Sequence, residues 1–121
     1  MNRRAAFAFL VAAVASALIW ALSPLLTGHA EPWDADGLYY LVALLIAGMV
    51  SGALVPKVLW AHYVGAVVGQ LGYELLFLNI GPLFVLGIVF LLVYSLIFLA
   101  AATVAAYLRN RLLAAHYKTL G

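Results

Sequence analysis

Hydrophobic positions in this chain come in long unbroken runs, with neither the alternation of a half-buried strand nor the one-sided stripe of a surface helix. Residues 5–26 are almost wholly apolar and rich in alanine, followed by runs over 38–55, 58–78 and 82–108. A helix needs roughly 20 apolar residues to cross the hydrocarbon core of a bilayer. The pattern therefore predicts an all-α integral membrane protein, an up-down-up-down bundle of four transmembrane helices forming one domain over 1–121. Short connections predict that consecutive helices are antiparallel neighbours.

The punctuation between the runs agrees. Pro24 should bend or stop the first helix. Thr27 to Gly37 is the only sizeable polar segment, with turn chemistry throughout and Asp36 placed to cap the second helix. Pro56-Lys57 ends the second run. Asn79, Ile80 and Gly81 make a tight connection, and Pro82 suits the first turn of the fourth helix. That helix would be about 40 Å long at 1.5 Å per residue, so it should tilt or project from a core about 30 Å thick. Residues 109–121 read as a basic tail. The first run follows Arg3 and Arg4 as a signal peptide would, but its apolar stretch exceeds the 7–15 residues of a typical signal core, so it is expected to be retained.

Composition sharpens this picture. Of 121 residues, 69% are hydrophobic and only 8% charged, against roughly 25% charged in soluble domains. Ten charged side chains cannot cover the surface of a soluble domain this size. With no cysteine there is no thiol redox chemistry, thiolate metal site or palmitoyl attachment. Charge is also segregated. With the N-terminus in the cytoplasm, Arg3, Arg4, Lys57, Arg109, Arg111 and Lys118 all fall inside, and Glu31, Asp34 and Asp36 fall outside. This is the asymmetry expected of a bacterial inner (plasma) membrane protein with both termini cytoplasmic. Six basic residues spread over three short segments make no nucleic-acid patch.

Chemistry is sparse. His62, Gln70 and Glu74 in the third run lie on one helical face, eight and four residues apart. Glu74 is the single acidic residue within a predicted span, where an ionisable group marks a functional-site candidate. The sharp reading is a proton or cation path along this stripe. The plainer reading has Glu74 and His62 snorkelling to either interface, with one hydrogen bond satisfying Gln70. Two small-xxx-small motifs, Gly48 to Gly52 and Gly65 to Gly69, allow close helix approach. The Pro56-Lys57 turn between their helices suggests that the two motifs face each other.

Trp33, Tyr39, Tyr40 and Trp20 toward the outer side, with Trp60, Tyr63 and Tyr107 toward the inner, read as interfacial anchors. His29, His62 and His116 lie at different depths, which disfavours a bis-histidine haem. The acidic loop lacks the ligand number of a calcium site. No catalytic residue, metal site or cofactor is expected. The function expected is that of a small non-enzymatic protein acting through helix packing, as an accessory or structural subunit of a membrane assembly. Its partners would be the lipid bilayer and itself or another membrane protein. The alternative is a small oligomeric transporter or channel using the stripe on the third helix.

Overall fold

The computed structural model describes residues 2–34, 37–78 and 81–120; Asp36, Asn79 and Ile80, which carry the expected cap and part of the expected tight turn, lie outside these. Four helices account for most of the described chain: α1 (Arg3–Thr27), α2 (Tyr39–Leu54), α3 (Leu59–Phe77) and α4 (Phe84–Leu120). A single 3-10 turn, Pro32–Asp34, interrupts the connection between α1 and α2, and no strand occurs among the described residues. Two of the helices, Arg3–Thr27 and Phe84–Lys118, are long and apolar enough to cross a membrane. At 16 residues α2 is about 24 Å long, and α3 carries the polar stripe.

The helix ends follow from local chemistry. The Asn2 side chain accepts a hydrogen bond from the Ala5 N–H at 2.7 Å and caps α1. Gly28 closes α1 in the left-handed region at φ 78°, its N–H bonded to the Pro24 carbonyl. Pro24 does not stop the helix, which runs on for a further turn to Thr27. Ser23 and Thr27 flank the proline and supply side-chain bonds there: Thr27 Oγ1 donates to the Ser23 carbonyl and Ser23 Oγ to the carbonyl of His29. The fourth helix does not end near Leu108, where the basic tail was expected to begin. Residues 109–120 continue α4, whose 37 residues span about 55 Å. Arg109 marks where the bundle ends, because its Nη1 donates to the Ala53 and Leu54 carbonyls at the C-terminus of α2. Beyond it the helix stands exposed as far as residue 118.

The helices do not pack in the expected order. α1 packs most extensively on α3, and α2 on α4, with α3–α4 and α1–α2 next; α2 and α3 scarcely touch through their backbones. They occupy a diagonal of the bundle. The turn permits this because five steps from Leu54 to Leu59 reach about 17 Å when extended. The diagonal of a bundle with interaxial distances of 8–10 Å is only about 13 Å. Val58, in that turn, takes the left-handed conformation at φ 57°, rare for a β-branched residue.

The glycines explain the pairing. A Cβ at Gly48 would strike the Phe98 carbonyl and come within 2.9 Å of Ala101 Cβ. One at Gly52 would lie 2.6 Å from Ala102 Cα. On α3, Gly65 meets the Phe9 carbonyl and Ala12, and Gly69 meets Ala13 and Ser16. Thus the two motifs face α4 and α1 respectively, not each other. Both seams join parallel helices, since numbering rises in the same direction on both sides. A small-residue face admits a whole neighbouring backbone, which a two-residue turn does not demand.

Candidate functional site

The three residues of the α3 stripe are all buried, and each has a different environment. His62 is fully buried, with Nδ1 2.6 Å from Ser51 Oγ and Nε2 2.7 Å from the Val55 carbonyl. A carbonyl only accepts, so Nε2 carries a proton, and in the neutral ring Nδ1 accepts from the Ser51 hydroxyl. His62 therefore ties α3 to α2 across the diagonal and does not reach toward headgroups.

Gln70 is the meeting point of all four helices. Trp20 Nε1 of α1 donates to Gln70 Oε1 at 2.9 Å, and the Tyr40 hydroxyl of α2 donates to the same oxygen. Gln70 Nε2 donates to Ser95 Oγ of α4 at 3.0 Å and to the Ala66 carbonyl of its own helix at 3.1 Å. One amide thus makes four hydrogen bonds, where one interhelical bond was expected. The donors on the Oε1 side and the acceptor on the Nε2 side fix which way the amide points.

Glu74, a turn further on, is different. It is 6% exposed, and its Oε2 has no hydrogen-bond partner. It does not snorkel along the surface. It lines a cavity of about 610 Å³ walled by Trp33, Phe84, Phe90 and Tyr94, with Glu31 as a second carboxylate. The three stripe residues share a face but are not linked to one another by any hydrogen bond among the described residues.

Sequence reasoning placed Trp20, Trp33 and Tyr40 at an interface as anchors. Instead they turn inward. Trp20 is fully buried and meets Trp33 edge-on at 4.8 Å, Tyr40 stands edge-on to both, and Tyr94 lies 4.8 Å from Tyr40. Trp60 and Tyr107, at the other end, are exposed as anchors would be. The missed partner Ser95 had a signal: it is the lone serine or threonine between Pro82 and Thr103 in a long apolar run.

No family model, curated protein or solved structure matches this chain.

The opposite end of the bundle has the reverse charge. Arg3, Arg4, Lys57 and Arg109 line one cleft of about 410 Å³ together with Phe7 and Leu54. Among the described residues no group of three or more histidine, aspartate or glutamate side chains is arranged to hold a metal ion. In the acidic loop, Glu31 Oε2 accepts from the Trp33 indole N–H, so this carboxylate orients an aromatic ring.

Proposed function

We propose that this chain is a small, non-enzymatic multi-pass protein of a bacterial inner membrane, with four spans, both termini cytoplasmic, and a role exercised through helix packing as an accessory or structural subunit of a membrane assembly. The observation that carries the reading is an inverted distribution of side chains. Ser16, Ser23, Ser51, His62, Gln70, Glu74 and Ser95 are buried. Leu10, Leu18, Ile46, Val50, Val68, Leu75, Val93 and Leu96, drawn from all four helices, are exposed. Water would favour the opposite arrangement, and lipid favours this one, where small and polar groups join the helices and aliphatic ones face the acyl chains. The basic cleft at one end and the acidic connection at the other support the orientation.

Reporter fusions at Asp34 and Gly121 test the topology. The Asp34 fusion should report the periplasm and the Gly121 fusion the cytoplasm; a C-terminal reporter active only in the periplasm overturns four spans. The assembly role is tested by mass measurement in lipid nanodiscs. A defined oligomer or stoichiometric complex is expected, and a strictly monomeric chain argues against the role.

The buried, unpartnered Oε2 of Glu74 favours a second reading, a small oligomeric transporter or channel. Its test is proton or cation flux in proteoliposomes, parent against Glu74→Gln. On the packing role neither passes ions; flux present in the parent and lost in Glu74→Gln promotes the transporter.

A further inference from the structure

Glu74 poses a question that packing does not answer. A carboxylate oxygen shielded from water and without a donor is costly wherever it occurs. The surroundings of Glu74 show what would compensate the charge. Glu31 adds a second carboxylate, and among the described residues no lysine, arginine or histidine lines the cavity. Either a proton or a cation compensates such a group, and a cation here comes from outside the described residues.

The walls select among cations. A hard metal ion needs about six or more oxygen ligands, and two carboxylates do not supply them. The rest of the lining is aromatic and aliphatic: Trp33, Phe84, Phe90 and Tyr94, with Leu83 and Leu86. Such walls offer nothing to a hydrated inorganic ion. They suit a cation that carries its own hydrocarbon, whose charged centre is attracted to ring faces as well as to carboxylate. At about 610 Å³ the cavity is in the range of small-molecule sites. Trp33 is held in place by its hydrogen bond to Glu31 and its edge-on contact with Trp20, so this wall is already formed without a ligand.

We propose that this cavity binds a small organic monocation, an alkylammonium with apolar substituents, with its nitrogen against Glu74 and its hydrocarbon arms against Trp33, Phe90 and Tyr94. The inference rests on the membrane reading only for the side to which the cavity opens. Binding itself requires neither the orientation nor a partner.

The test uses the full chain, purified in detergent, and benzyltrimethylammonium as the probe, read by titration calorimetry and by tryptophan fluorescence. Sodium and potassium chloride serve as inorganic arms. Saturable binding is expected in the parent, with a change in fluorescence from Trp33. Glu74→Gln should weaken it about tenfold or more, and Phe90→Leu should weaken it while leaving both carboxylates in place. Thermal melting of each variant checks that it folds; if Glu74→Gln does not, Phe90→Leu and Glu31→Gln decide. Absence of saturable binding in the parent, equal binding by Glu74→Gln, or displacement of the probe by millimolar sodium or potassium overturns the proposal. Because the measurement is made in detergent, a failed topology test leaves it standing, and a failed titration leaves the topology standing.

Discussion

Gln70 makes four hydrogen bonds with one amide group, and this gives the residue scale its clearest prediction. Gln70→Leu strands the Trp20 N–H, the Tyr40 hydroxyl and the Ser95 hydroxyl together inside the bundle. The expected loss is about 2–3 kcal/mol, against about 1 kcal/mol for Tyr40→Phe, which removes a single donor. Equilibrium unfolding in mixed micelles measures both. If Gln70→Leu costs no more than Tyr40→Phe, the amide does not hold the four helices together. The sequence singles out Gln70, since a polar residue in mid-span stands out against an apolar run. Its partners do not stand out, because they lie 50, 30 and 25 residues away and helical periodicity relates only residues on one helix. The same limit hid the inward turn of Trp20 and Tyr40: an aromatic near a helix end looks alike whether it faces headgroups or a neighbouring ring.

At the scale of helices, the glycine seams decide which segments meet. Gly52→Ala puts a methyl group against the backbone of Ala102, which cannot rotate away, so α2 and α4 must separate. The cost should be about 1–3 kcal/mol, as for other overpacked contacts. Gly72→Ala is the control. Its added Cβ meets nothing within 4 Å, and replacing a helical glycine should stabilise by about 0.5–1 kcal/mol. Thermal melts of the two variants should therefore move in opposite directions, and a neutral Gly52→Ala would remove the α2–α4 seam. Arg109→Ala releases the last carbonyls of α2 and should cost about 0.5–1 kcal/mol. Arg111→Ala, which loses only contacts to Tyr107 on its own helix, should melt like the parent. The glycine spacing was legible as a close-approach motif. Which helix approaches was not, because a small-residue face carries no address. The helical course of residues 109–120 was equally hidden, since basic residues and a loss of hydropathy mark an exit from the membrane and not the end of a helix.

Over the whole molecule, charge divides the bundle into two unlike ends. Arg3, Arg4, Lys57 and Arg109 gather at one, and Glu31 and Glu74 share a cavity at the other. The basic end is built from three separate stretches of chain, so the proposed orientation does not depend on any one of them. Reversing two charges with Arg3→Glu and Arg4→Glu should therefore leave a Gly121 reporter cytoplasmic, because Lys57, Arg109, Arg111 and Lys118 remain. Inversion of the reporter would show that the first helix alone sets the topology.

The crossed pairing of the helices also bears on the order in which the protein is made. α1 obtains its main partner only when α3 has been synthesised past Gly69, and α2 must wait until Ala102 has emerged. On the proposed four-span arrangement, the glycine groove of α2 is then unfilled for most of synthesis, and the first two helices enter as a hairpin without their main partners. We expect nascent chains halted before Phe98 to be degraded in pulse-chase much faster than chains halted after Asn110; equal lifetimes would show that the early hairpin is self-sufficient. Biogenesis of this small bundle is thus a matter of deferred closure, in which the last helix completes the fold and fills the groove of α2.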